Sequence, residues 1–173
     1  EETRLKPLSE YGISKLTAEY YLRLYQKHFS VIILRYSNVY GSRQDSTAEG
    51  GVVSIFSQKI LNSQTCQIYG DGEQTRDFIF VKDVVEANLK CLNLEKSDIF
   101  NISTREQTTV RRLFEILEKI SQKKAVYQFA KERAREIKKS VLDNAKAIKT
   151  LNWQPKYSLE QGLKITFNDI NNQ

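Results

Sequence analysis

The sequence predicts an α/β fold, in which strands and helices alternate along a chain of 173 residues. Residues 31–36 (VIILRY) begin with four consecutive apolar side chains, three of them β-branched, which is typical of a strand in a parallel sheet covered on both faces. Segments with helical periodicity lie before and after this strand. Hydrophobic residues make up 40% of the chain and charged residues 28%, so a globular domain with its own core is expected.

The first helix is predicted at residues 10–29, where aromatic and aliphatic side chains recur at i and i+4 on neighbouring faces. Its apolar surface is wider than one buried stripe requires. Either a second helix, which could belong to another subunit, covers part of it, or the helix is fully buried. The strand at 31–36 follows, and the polar, glycine-containing segment 37–51 is predicted to be a loop.

The rest of the chain continues the alternation. The Gly70-Asp71-Gly72 segment predicts a turn, and the capping-box spacing of Asp83 and Glu86 predicts the start of a helix. Ser158 has the same relation to Gln161, which predicts the start of a last helix after Pro155. The other predicted elements are a helix at 52–61, strands at 66–69, 78–81, 99–102 and 126–129, an amphipathic helix at 110–120 and a short helix at 145–151.

Composition excludes several classes of site. One histidine and two cysteines, without metal-ligand spacing, exclude a multi-histidine centre, a zinc site and a disulfide framework, so no metal is expected. No apolar run approaches the roughly 18 residues that span a bilayer, and none resembles a signal peptide, so no membrane partner and a cytoplasmic location are expected. Because the sequence contains no Met, we expect the chain to begin within a longer protein.

The net charge of +6 is concentrated in one segment. Residues 119–149 contain ten Lys or Arg side chains and three acidic ones. Such a segment can bind nucleic acid, membrane headgroups or a small phosphorylated ligand, or it can be a solvated basic face.

Tyr11 and Lys15 are candidates for acid/base chemistry. Four residues apart at the start of the predicted first helix, their side chains share one face. A phenol ordinarily titrates near pH ~10, and a nearby ammonium favours the phenolate, so such a pair can exchange a proton with a hydroxyl that becomes a carbonyl. The spacing alone is weak, because Tyr127 and Lys131 share it.

Two arginines are candidates for diphosphate recognition. The Gly70-Asp71-Gly72 segment lacks the third glycine and the following helix of a dinucleotide fingerprint, and the chain has no Walker loop or nucleophile elbow. A guanidinium fork matches phosphate oxygens, which makes Arg76 and Arg133 the candidates, although either could also be a routine surface arginine.

Several ordered segments together resemble a known family: residues 11–15 (YGISK), 34–41 (LRYSNVYG), 69–84 (YGDGEQTRDFIFVKDV), 100–104 (FNIST), 153–155 (WQP) and 159–163 (LEQGL). Their order and spacing resemble the extended short-chain dehydrogenase/reductase family, and within it the NAD-dependent nucleotide-sugar epimerase/dehydratase branch. UDP-glucose 4-epimerase-like proteins are the most similar, and the resemblance covers nearly the whole chain.

The resemblance implies a role for individual residues. Tyr11 would be the catalytic acid/base, and Lys15 the neighbour that favours its phenolate and holds the nicotinamide ribose. Tyr36 and Ser37 would lie beside the nicotinamide, at the carboxyl end of a strand, where open α/β sheets place their ligands. The residues implied for nucleotide-sugar binding are Asn38, Gly51, Val52, Phe56, Gln67 and Tyr69, the diphosphate-binding Arg76 and Arg133, and the ribose-binding Glu136.

The resemblance also implies the architecture and the partners. Residues 1–43 and 78–102 would form the rear part of a Rossmann-type, doubly wound parallel sheet that binds NAD. Residues 44–77 and 103–173 would form a small mixed α/β domain for a UDP-sugar. The main NAD-binding segment is absent from these 173 residues, so we expect the chain alone to be inactive. A homodimer through the helix at 11–29 is implied for the full-length protein, and a diphosphate sugar fits the basic segment better than nucleic acid does.

The implied reaction is transient oxidation of the sugar at C4, rotation of the keto-sugar and return of the hydride to its other face. A 4,6-dehydratase, a decarboxylase or another reductase of the extended family is the alternative. A non-catalytic nucleotide-sugar-binding module is the second alternative. It is kept open because Glu10 precedes Tyr11, where the family more often has an uncharged residue, and because Ala134 and Arg135 replace the usual residues beside Arg133.

Overall fold

A computed structural model describes residues 1–45, 50–133 and 136–172, so Ala134 and Arg135 lie outside the described residues. The described helices are α1 Glu10–Leu24, α2 Val52–Leu61, α3 Val81–Cys91, α4 Val110–Ser121, α5 Ala145–Leu151 and α6 Leu159–Asn171. The described strands are β1 Ile32–Tyr36, β2 Asn38–Tyr40, β3 Cys66–Tyr69, β4 Thr75–Arg76, β5 Phe78–Phe80, β6 Asp98–Ile102, β7 Thr108–Thr109 and β8 Tyr127–Ala130. Strands and helices alternate, which confirms the predicted α/β class.

Parallel pairing dominates the described strands. β1 pairs with β6, β2 with β5 and β3 with β8, all parallel, while the two-residue β4 and β7 pair antiparallel. Only Ser37 separates β1 from β2, and its N–H donates to Ile102 O at 3.0 Å, whereas Asn38 N–H donates to Asp77 O at 2.8 Å. The chain therefore changes its partner from β6 to β5 at Ser37, which puts Tyr36 and Ser37 at the carboxyl end of β1, as expected.

Two apolar clusters stabilise the fold. The larger cluster joins α2, α4 and α6 to β2, β3 and β5, and Phe56 and Phe114 meet edge-to-face in it with centroids 5.9 Å apart. The smaller cluster joins α3, β6 and α5 around the fully buried Trp153, whose Nε1–H donates to Asp83 O at 3.0 Å. The division into two domains at the predicted bounds stays a prediction.

The first helix is shorter than its periodicity predicts. α1 ends at Leu24, because Tyr25 N–H bonds Leu22 O and His28 N–H bonds Tyr25 O, which tightens the chain into turns before β1. No residue of α1 is buried by the described part of the chain, so burial of this helix against another part of the protein stays a prediction. Tyr21 and Leu24 are exposed, and the predicted cover by another helix or subunit stays a prediction.

Other differences arise from contacts between distant segments. The predicted loop at 37–51 contains β2, and the predictions miss β4 and β7, because two- and three-residue strands are defined by their partners rather than by periodicity. The predicted capping box at Asp83 and Glu86 is wrong, because α3 begins at Val81. The buried Asp83 carboxylate instead accepts the N–H groups of Lys156 and Tyr157 at 2.9 and 3.3 Å.

Other local predictions are confirmed. Gly70 and Gly72 have positive φ angles of 65° and 79°, as a tight turn requires. At the start of α6, Ser158 and Gln161 form both bonds of a capping box. None of the described helices has the length and apolar character that a membrane span requires.

Candidate functional site

A cavity of about 260 Å³ collects residues that lie far apart in the sequence. All nine residues implied for nucleotide-sugar binding border it. They are Asn38, Gly51, Val52, Phe56, Gln67, Tyr69, Arg76, Arg133 and Glu136. Gly50, Ile55, Gln74 and Val110 also border it and were not among the candidates.

The first turn of α2 forms one wall of the cavity. Gly51 is the N-cap and makes no side-chain capping bond, while Val52 opens the helix. The first N–H groups of a helix lack partners within the helix, and the helix dipole adds a partial positive charge there. An anionic group in the cavity would therefore meet a favourable helix end, provided that other groups fix it in place.

Arg76, which also borders the cavity, is held rigidly. Its Nη1 donates to Ile137 O at 2.6 Å and to Thr75 O at 2.8 Å, and its Nη2 donates to the Glu136 carboxylate. The two charged side chains are largely buried, with 17% and 13% of their surface exposed. The two charges therefore offset each other, and the arginine has a fixed orientation.

Arg133 lies on the aromatic ring of Tyr69. Its Cζ is 4.1 Å from the ring centroid, which is the geometry of a cation–π contact. Tyr69 ends β3 and is half-buried, and its carbonyl oxygen accepts Gln74 Nε2–H at 2.9 Å. Gln74, itself buried, thus fixes the turn between Tyr69 and Arg76, a role that the motif around it did not reveal.

A buried carboxylate next to Arg76 joins segments that lie far apart in the sequence. Asp77 Oδ1 accepts the N–H and Oγ1–H of Thr104 at 3.0 and 2.8 Å, and Oδ2 accepts the N–H groups of Arg105 and Leu142 at 3.2 and 3.3 Å. The segment after Glu136 is also tied to β4, because Thr75 N–H donates to Lys138 O and Ser140 N–H to Thr75 O. Asp77, next to Arg76, is therefore a buried acceptor that several distant segments share.

Tyr11 and Lys15 do not border the cavity. They lie in the first turns of α1, which Ser9 caps, and Lys15 Nζ is 5.2 Å from the centroid of the exposed Tyr11 ring. The pair therefore shares one face, as its spacing predicted. Tyr127, by contrast, lies on β8, so its spacing to Lys131 does not place the two on one helical face.

A bidentate ion pair fixes α1 to β1. Arg35 Nε and Nη2 donate to the two carboxylate oxygens of Glu19 at 2.7 and 2.6 Å. Beyond Arg35, Tyr36 Oη donates to Asn88 Oδ1 at 3.0 Å. Ser37 Oγ is buried and has no hydrogen-bond partner among the described residues. A polar ligand at this strand end would therefore find an available hydroxyl.

The chain is similar to known nucleotide-sugar enzymes over its whole length. Residues 1–166 match the family model described as GDP-mannose 4,6 dehydratase. A putative UDP-glucose 4-epimerase of Methanocaldococcus jannaschii is 43% identical over 99% of this chain and 56% of that protein. Reductases and decarboxylases of nucleotide sugars are also among its relatives. The chain spans about half the length of these curated relatives.

Solved structures agree with the sequence relatives. UDP-glucose 4-epimerase of Thermotoga maritima with UDP-glucose superposes with a TM-score of 0.91 at 42% identity, over 96% of this chain and 55% of that one. UDP-glucuronic acid 4-epimerase of Bacillus cereus, in complex with UDP-glucuronic acid and NAD, gives a TM-score of 0.91 at 33% identity, over 99% of this chain and 55% of that one.

Proposed function

The chain belongs to the family described as GDP-mannose 4,6 dehydratase. We propose that it is part of an NAD-dependent 4-epimerase that acts on a UDP-hexose. The convergence on one cavity of the nine residues that the resemblance implies is the observation that carries this proposal. The similarity to epimerases that bind UDP-glucose or UDP-glucuronic acid supports it.

The nucleotide part of the substrate would occupy the cavity. The two phosphates bring negative charge, and Arg133 and the first turn of α2 supply positive charge on its walls. Arg76, whose charge Glu136 offsets, would donate charge-assisted hydrogen bonds to the phosphates from a fixed position. The Glu136 carboxylate would accept hydrogen bonds from the ribose hydroxyls. Gln67 and Tyr69, on β3, would border the base. Asn38, at the start of β2, would lie nearest to the sugar.

Tyr11 would handle the proton at the sugar. As a phenolate it would take the proton from the C4 hydroxyl when that carbon is oxidised, and would return it when the carbonyl is reduced. The Lys15 ammonium lies near enough to stabilise the negative charge that Tyr11 then carries. The diphosphate, held at the cavity, would let the sugar turn between the two steps.

The described residues fit a nicotinamide cofactor at the carboxyl end of β1. Ser37 offers a buried hydroxyl without a partner among them, and Tyr36 is fixed beside it by Asn88. NAD, when bound, would accept a hydride from the sugar and give it back. Tyr36, Ser37 and Lys15 would orient it. The chain has no dinucleotide fingerprint, so we expect the isolated 173 residues to bind the sugar nucleotide without turning it over.

Titration of UDP-glucose into the chain tests the binding half of the proposal. We expect saturable binding that Arg76→Ala weakens at least tenfold, because a charge-assisted contact to phosphate is lost. Arg112→Ala is the matched control, since Arg112 is exposed and, within the described part of the chain, forms an ion pair only with the neighbouring Glu115. No binding, or equal binding by the two variants, would overturn the proposal.

Turnover in the full-length protein tests the catalytic half. Tyr11→Phe should lower kcat for interconversion of UDP-glucose and UDP-galactose about 100-fold or more while leaving UDP affinity unchanged. Tyr20→Phe, at another exposed tyrosine of α1, should leave both unchanged. An active Tyr11→Phe enzyme would exclude Tyr11 as the acid/base.

The family description and the other relatives favour a second candidate, a nucleotide-sugar 4,6-dehydratase or decarboxylase using the same cavity. Product analysis separates the two, because epimerisation conserves the mass of the sugar whereas dehydration and decarboxylation lower it. A non-catalytic module predicts binding with no product at all from the full-length protein.

We also propose that α1 mediates a homodimer of the full-length protein. Its exposed face carries Tyr21, Leu24 and Tyr25, and Phe29 stacks on Tyr25 with centroids 5.9 Å apart. A patch of this kind is typical of an interaction surface. Sedimentation of the full-length protein should show a dimer that Leu24→Glu dissociates, and a monomeric wild type would refute it.

A further inference from the structure

The two arginines of the cavity differ in their freedom to move. Arg76 donates to two backbone carbonyls and to Glu136, so its guanidinium has a fixed place. Arg133 is exposed, and no hydrogen bond or ion pair of its guanidinium is found among the described residues. The guanidinium instead contacts the face of the Tyr69 ring.

The Tyr69 ring is a fixed platform. It ends β3, and two bonds hold the backbone around it, from Gln74 Nε2 to Tyr69 O at 2.9 Å and from Gly70 N to Ala130 O at 2.9 Å. Tyr69 and Arg133 border the same cavity, and the guanidinium Cζ lies over one face of the ring, 4.1 Å from its centroid. A nucleobase stacks on such a ring at van der Waals distance, which is the space that the guanidinium fills.

We propose that Arg133 has two alternative positions, one stacked on Tyr69 and one on the diphosphate, and that this exchange makes the site specific for diphosphate ligands. The inference rests on the proposed function, since it takes the base to lie on Tyr69. A ribose separates the base from the phosphates, so one guanidinium cannot occupy both places at once.

The exchange determines which ligands bind. A nucleoside must displace the guanidinium from the ring and offers it no new partner. A nucleoside diphosphate displaces the same group and gives it phosphate oxygens, for which a guanidinium is well matched. Arg133 therefore lowers the affinity for nucleosides and raises the affinity for nucleoside diphosphates.

Binding of uridine, UMP and UDP to the chain and its variants tests the exchange. Arg133→Ala should weaken UDP about tenfold or more, because a charged contact is lost, and should tighten uridine about two- to fivefold, because a cation–π competitor is removed. Arg133→Lys keeps the charge without the planar group, so it should also tighten uridine while weakening UDP less than Arg133→Ala does. Arg112→Ala should change neither ligand, and unfolding midpoints confirm that all variants fold.

Opposite changes for uridine and UDP support the exchange. Uridine binding that is unchanged, weaker or still undetectable in Arg133→Ala, while the wild type binds UDP, overturns the exchange and leaves the proposed function standing. A wild-type chain that binds none of the three ligands overturns both.

Discussion

Replacing Asp77 with Asn tests whether one buried carboxylate holds together the distant segments that contain Thr104, Arg105 and Leu142. The amide keeps one acceptor oxygen, which can continue to serve Thr104. Its NH₂ group then faces the N–H groups of Arg105 and Leu142, which Oδ2 accepts in the wild type at 3.2 and 3.3 Å. Two donors therefore lose their acceptor beside a side chain that is fully buried.

The expected cost follows from these two bonds. A buried donor without a partner costs roughly 1–3 kcal/mol, and the two bonds are long, so the lower part of that range applies to each. The free energy of unfolding should therefore fall by about 2–3 kcal/mol in Asp77→Asn. Asp77→Ala removes the acceptor for Thr104 as well and should cost more, about 4 kcal/mol.

Urea unfolding measures the change as a lower midpoint at an unchanged slope. Glu115→Gln is the control, because Glu115 is half-exposed and, among the residues that the structure describes, forms an ion pair only with Arg112 on the same helix. The Glu115→Gln substitution should change the free energy of unfolding by less than about 0.5 kcal/mol. An Asp77→Asn protein as stable as this control would refute the role given to Asp77.

Three further predictions concern other contacts. Gly162→Ala should destabilise the chain by about 1–3 kcal/mol in urea unfolding, because the new methyl group would collide with the Tyr40 hydroxyl; an unchanged midpoint would contradict this. Burial raises the pKa of Cys66 from 9.0 to about 11, so the stability that its neutral thiol contributes below pH 9 should be lost as the pH rises towards 11. Because burial also raises the pKa of Cys91 and of Tyr40, Cys66→Ala should reduce this loss of stability without abolishing it, and an equal loss in the variant would contradict the role of Cys66. Glu19→Gln should break the bidentate pair with Arg35 and speed amide exchange in α1, and unchanged exchange would show that another contact holds the helix.

The long elements of the fold could be predicted from sequence because their periodicity is local. The helices α2 and α4 lie within a residue of the predicted bounds, and Ser158 caps α6 as its spacing indicated. The first helix is the exception, since the aromatic spacing continues through Tyr25 and Phe29 although the backbone leaves the helix at Leu24. The end of a helix is set by its backbone hydrogen bonds, which side-chain periodicity does not predict.

The cavity required more than local pattern. Its residues run from Asn38 to Glu136, and the family resemblance identified nine of them while the fold brought them together. Asp77 and Gln74 stand in a motif that was recognised, yet their partners lie on other segments, so their roles became visible only in three dimensions. The stacking of Arg133 on Tyr69 likewise has no counterpart in residue spacing.

The most direct test of the proposed nucleotide-sugar site is an NMR titration of the chain with UDP. We expect saturable amide shifts confined to the cavity walls, at Gly51 and Val52 of the α2 start, at Gln67 and Tyr69 of β3, and at Arg76. Shifts should be small at α1 and at the α4 face that carries Arg112. The absence of shifts, or saturable shifts centred away from these walls, would contradict the proposal that this cavity binds a nucleotide sugar.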